Sequence, residues 1–141
     1  MKLKKKINTK KYYDLRVKNL KKKVWKVMSL YVRERDKYTC FTCGQTKGIM
    51  NAGHFIHGKL DYDEMNINCQ CVSCNKWNHG NLGIYGVKLV GKYGKRKVED
   101  LIMRSKAPQK YDERELLKIY EKLQDKLAKL IDKSEPIWCD D

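Results

Sequence analysis

The chain has 141 residues, 41% hydrophobic and 35% charged, and its 32 lysines and arginines outnumber 17 acids for a formal net charge of +15. No twenty-residue apolar run is present, so no membrane span is expected, and the size suits one domain with appendages. So large a positive surplus directs the chain toward nucleic acid phosphates.

Residues 1–14 read as a basic, flexible arm carrying Lys4, Lys5, Lys6, Lys10 and Lys11. A charge block of this kind is commonly only a solubilising tail, but each phosphate it neutralises releases counterions, so it reads here as a DNA-contacting arm that orders at about Leu15. No apolar signal segment is present beside it, and a reducing cytoplasm is the expected compartment. Over residues 15–35 the apolar positions Leu20, Val24, Val27, Met28, Tyr31 and Val32 recur at three and four, the spacing of an amphipathic helix. Asp36-Lys37-Tyr38 stops it. Trp25, Met28 and Val32 would pack on the cysteine-rich segment C-terminal to the helix, leaving Lys21, Lys22 and Lys23 to extend the basic surface.

Two C-x-x-C pairs come next, Cys40/Cys43 and Cys71/Cys74, the first closed by Gly44. Two such knuckles supply the four thiolates of a tetrahedral structural zinc site, and a reducing compartment disfavours the alternative of two disulfides. Cys69 and Cys139 are left as free thiols. Between the pairs, residues 49–56 are strand-like and Gly58 with Asp61-Tyr62-Asp63 marks a loop. Residues 72–79 fit a short helix halted by Gly80-Asn81. Strand, loop and helix around one ion form a ββα unit in which His54 and Asn75 face a common cleft. Trp77, on the short helix, reads as a core plug before it reads as a base-stacking platform.

Residues 87–103 are consistent with two short helices around Gly91 and Gly94, and Lys88, Lys92, Lys95, Arg96 and Lys97 make them a second candidate clamp on a DNA backbone. Ala107-Pro108 breaks the chain. A long helix then runs from about Tyr111 to Lys133, acids early and lysines late. Its Leu116, Tyr120, Leu123, Leu127 and Leu130 step with a heptad period, which serves either a homodimer or packing back on the first helix. Three segments result: the arm 1–14, a helix with the zinc-framed core over 15–105, and a C-terminal helix with an acidic tail over 106–141.

The string C-x-x-C-G, Ala52-Gly53-His54-Phe55, Asn66-Ile67, Gln70-Cys71, C-x-x-C-Asn75 and Gly80-Asn81 resembles the phage NinG/Rap family of recombination endonucleases, a branch of the HNH (ββα-metal) nucleases. The likeness runs from about Tyr31 to Leu101, and Cys74-Asn75 is also similar to the phage junction resolvase endonuclease VII. It implies an α+β fold: a small zinc-stapled ββα-metal core flanked by N-terminal and C-terminal helices. Function is implied as well: a metal-dependent DNA endonuclease acting on branched intermediates such as Holliday junctions or D-loops, in the cytoplasm of a bacterial host. By the same resemblance His54 is the general base, Asn75 a ligand of a catalytic Mg2+ or Mn2+, and Asn66 the residue that holds the loop and orients the base.

One departure stands out. HNH sites place a carboxylate directly before the base histidine, or three positions before it in NinG-like chains, where this chain has Gly53 and Asn51. An amide is a weaker ligand for a hard cation. Asn51, Asn78, His79 and Asp63 are therefore candidate second ligands, His79 because it lies four residues after Asn75 on one helical face. His57 is a further imidazole placed to touch a phosphate. Two other functions stay open: a non-catalytic zinc-containing DNA-binding accessory, and an HNH nuclease acting on linear duplex.

Overall fold

The computed structural model describes residues 8–134, so Lys4, Lys5, Lys6, Cys139 and most of the acidic tail lie outside the described residues. Helix α1 spans Thr9–Arg35 and begins where the side chain of Asn8 accepts from the Lys11 N–H at 3.1 Å. The expected start near Leu15 is thus corrected. Asn8 caps a free N-terminal amide, and lysines are good helix formers, so the helix runs into the basic arm, with Lys10 and Lys11 on it. It ends at Asp36, after which Lys37 and Tyr38 adopt left-handed backbone (φ 51° and 50°).

Two short strands, β1 (Met50–His54) and β2 (Ile67–Cys71), pair antiparallel, with Met50 opposite Cys71 and His54 opposite Ile67. All five residues of β2 are buried, polar ones included. Asn68 accepts from Arg35 Nη2 at 3.0 Å and donates to the Tyr85 hydroxyl, while Gln70 Nε2 donates to Thr42 Oγ1 and to the Gly80 carbonyl. Paired amides can be buried at little cost. A π-helical turn, Ser73–Trp77, follows, and then α2 (Leu82–Tyr93), α3 (Lys95–Ser105) and α4 (Glu113–Ser134). The paired helices expected around Gly94 are present, α2 starting five residues ahead of the expected position.

Two apolar clusters hold these elements. The larger joins Val24, Met28, Tyr31 and Val32 of α1 to Met50, Ile67 and the cysteines, and to Leu116 and Leu123 of α4. The heptad seam of α4 is therefore covered by α1 within the chain. The Arg16–Glu113 and Lys126–Glu64 ion pairs tie α4 to α1 and to the loop before β2. A smaller cluster packs Tyr85, Leu89 and Val98 against Phe41, Phe55, Met65 and Tyr93, seating α2 and α3 on the other side of the strands. Arg35 clamps the junction: it pairs with Asp36 and donates to the carbonyls of Glu64 and Ile67, while Asp36 accepts from the Cys69 N–H. Among the described residues no helix is long and apolar enough to cross a membrane.

Candidate functional site

The Sγ atoms of Cys40, Cys43, Cys71 and Cys74 lie within 4.8 Å of one another, with Cys43 and Cys71 3.7 Å apart. A tetrahedral zinc with bonds of about 2.3 Å spaces its sulfurs roughly 3.8 Å apart, so the cluster fits that ion with little adjustment. The surroundings suit thiolates. Thr42 Oγ1 stands 3.3 Å from Cys40 Sγ, the Cys74 N–H points at Cys71 Sγ, and Asn81 Nδ2 donates to Cys74 Sγ at 3.7 Å. Burial alone would raise the Cys40 thiol, but the Thr42 hydroxyl and neighbouring backbone N–H groups outweigh it and bring the thiol down to about 6. Cys69, two residues from Cys71, is a buried free thiol pushed up to about 12, chiefly by burial.

His54 ends β1 and is mostly buried. Its Nε2 lies 3.0 Å from Asp61 Oδ1, which as a carboxylate can only accept, so in the neutral ring the proton sits on Nε2 and the Nδ1 lone pair is left free. The hydrogen bond from His54 holds the Asp61 carboxyl below its ordinary range, against a smaller opposing effect of burial. The ring stacks on Trp25 of α1, centroids 5.0 Å apart and 16° between planes, and His57 lies 6.0 Å away. Asn66 is fully buried, accepts from the Ile56 N–H at 2.8 Å and donates to the carbonyls of Ile56 and Lys59, tying down the loop that leaves His54. From behind, the Tyr85 hydroxyl donates to the Gly53 carbonyl at 2.8 Å.

Asn75 reaches the same place from the π-helical turn. A Cβ built on Gly53 would stand 3.1 Å from Asn75 Oδ1 and only 2.0 Å from Gln70 Oε1, so any side chain directly before His54, a carboxylate included, would have to displace the Gln70 amide. Gln70 takes that space. Its Nε2 is fully engaged, and its Oε1 is buried without a partner, as is Asn51 Nδ2. Asn51 and Asn75 line one polar cleft with Trp25, Ser29, Arg33 and Lys76. Among the described residues neither Arg33 nor Lys76 forms an ion pair. Oxygen donors suit a hard divalent cation, and the side-chain oxygens of Asn75 and Gln70 converge beside Gly53. Both are neutral, so any hold on such a cation would be weak without a phosphate to add charge.

Two expected ligands are not brought in. His79 lies beyond the turn, which ends at Asn78; its backbone is left-handed (φ 49°) and its ring exposed, so the helical face shared with Asn75 does not form. Asp63 is spent elsewhere, capping the Met65 N–H and pairing with Arg104 at 2.8 Å. Of the basic residues, Lys10, Lys11, Lys21, Lys22 and Lys23 are exposed on α1, Lys95 and Arg96 on α3, and His57 beside the Gly80 backbone. Trp77 is no core plug: it is 77% exposed, because the turn aims Cys74 inward and Trp77 out. Sequence reasoning missed Asp61, Gln70, Arg33, Lys76 and the Trp25 stack. Asp61 alone had a local signal, an acid in the loop that follows the histidine.

Residues 1–135 match the family model described as Bacteriophage Lambda NinG protein. Relatives include proteins named ninG of Escherichia phage 933W, 35% identical over 86 residues, Escherichia phage lambda, 34%, and Salmonella phage P22, 35%. Each alignment covers 57% of this chain and 42–43% of the relative, so the chain spans less than half the length of these relatives in alignment. No solved structure matches.

Proposed function

We propose, from the premise that this chain belongs to the bacteriophage Lambda NinG family, that it is a metal-dependent DNA endonuclease of HNH type which hydrolyses phosphodiester bonds in branched recombination intermediates. The observation that carries this reading is the His54–Asp61 pair, 3.0 Å apart, whose imidazole stacks on Trp25 at a cleft that Asn75 also lines, with two cations that have no acidic partner among the described residues. Asp61 holds the proton on Nε2, so Nδ1 takes the proton of a water attacking phosphorus in line. The Trp25 stack and the Asn66-held loop keep that imidazole from turning, and Arg33 with Lys76 would hold the phosphate. A divalent cation at Asn75, with Gln70 and Asn51 alongside, would polarise the phosphate and stabilise the leaving oxygen. Zinc at the four cysteines would be structural. DNA is the partner, its backbone lying on the lysines of α1 and α3.

The test is cleavage of a labelled four-way junction and its matched duplex, with Mg2+, Mn2+ or EDTA, by the native chain and by His54→Ala. Metal-dependent nicks near the branch are expected, reduced on the order of a hundredfold or more in the variant. The all-neutral donor set favours a second reading, a DNA-binding recombination accessory without catalysis. Tight binding with no cleavage under any metal would establish it, and equal cuts in linear duplex would move the substrate away from branches.

A further inference from the structure

We infer that Trp77 is a stacking platform for an unpaired base of a DNA strand whose phosphates lie along the cleft at Lys76 and Arg33. The inference rests on the reading that DNA occupies this cleft, but not on catalysis. Three observations lead to it. Trp77 is 77% exposed, whereas Trp25, the other indole of the site, lies against His54. Among the described residues the Trp77 ring meets no other ring, and the indole, the largest apolar side chain of the turn, faces solvent. The same five-residue turn carries Asn75 and Lys76, which line the cleft, and Trp77 follows Lys76 directly in the chain.

The charge beside it selects the occupant. Lys76 and Arg33 lack acidic partners among the described residues, and a chain of net charge +15 favours a polyanion over an apolar peptide. A strand whose backbone follows these cations brings its bases within reach of the indole, and every base has a face to stack. In a continuous duplex both faces of each base are already covered by neighbours. Only a base freed at a branch, bulge or end can use Trp77, so the residue confers preference for DNA shape without reading sequence.

The experiment is a binding titration in EDTA, where no cleavage can occur, with two labelled duplexes that differ only by a single-base bulge. Trp77→Ala should weaken binding of the bulged probe about tenfold, the scale of one lost base–aromatic contact, and change the paired duplex less than about twofold. Trp77→Phe should keep most of the preference. With 2-aminopurine in the bulge, the native chain should quench its emission and the alanine variant should not. Equal loss on both probes, no loss on either, or unchanged quenching would overturn the inference. Failure of the nuclease reading would look different: the junction would remain uncut while the bulge preference and its dependence on Trp77 persisted.

Discussion

Strand β2 borders two clusters, the four sulfurs and the cleft at Asn51 and Asn75, and the two differ in where their charge comes from. The cysteines bring up to four negative charges to one point, and backbone N–H groups, Thr42 and Asn81 are arranged to keep them there. The cleft brings amides and two cations with no carboxylate in its lining, and Asp61 is taken by His54. An anionic cluster captures its ion as the chain folds. A neutral one must borrow charge from the phosphate, so its ion and its substrate would arrive together.

The largest expected effect breaks the first cluster. Cys71→Ser removes one sulfur and should cost most of a zinc-binding free energy that is about 10 kcal/mol or more in small zinc domains, leaving the chain zinc-free and unfolded by circular dichroism. A stable, zinc-free variant would end the structural-zinc account. The second prediction sharpens the contrast. Asn51→Asp gives the cleft a carboxylate where the native chain has an amide nitrogen without a partner. Millimolar Mn2+ should then raise the melting temperature of the variant in the absence of DNA, a stabilisation of up to about 2 to 3 kcal/mol if the ion is in hundredfold excess over its Kd, and leave the native chain unmoved. No shift would mean that Arg33, in the same cleft, takes the new carboxylate instead.

The smallest effect concerns pH. The Asp61 carboxyl is held below its ordinary range, so the stabilisation it provides is fully present above about pH 4 and is lost as the pH falls through the lower folded value. The melting difference between the native chain and Asp61→Asn should therefore be present at about pH 4 and above and vanish as the pH falls below that range. Asp61 is half exposed, which limits the difference to under about 1 kcal/mol. A difference that persisted undiminished well below about pH 4 would contradict the pairing.

Elements with a local rule were legible in the sequence. The apolar spacing of α1, the Gly94 break between α2 and α3, and the heptad of α4 announced those helices, although α1 and α2 begin six and five residues ahead of the expected positions. Strand β2 was given no bounds, and its Asn68 and Gln70 are buried only because Arg35, Tyr85, Thr42 and the Gly80 carbonyl, distant in sequence, complete their hydrogen bonds. The heptad of α4 suited either a second copy or the first helix, and in the structure α1 covers its Leu116 and Leu123. His79 was misplaced because the turn after Cys74 is π-helical and ends at Asn78, which shifts every later residue off the expected face.

The sequence by itself determined the metal frame and the identity of His54, Asn66 and Asn75 as residues of interest, since knuckle spacing and a family's motif are properties of neighbours along the chain. Only the tertiary structure decided what surrounds them. Asp61 and Trp25 on His54, Gln70 in the space a carboxylate would need, and Arg33 with Lys76 beside Asn75 come from separate segments. They meet because the strand pair is packed between α1 and α2, and no spacing in the sequence records which side chains that packing brings together.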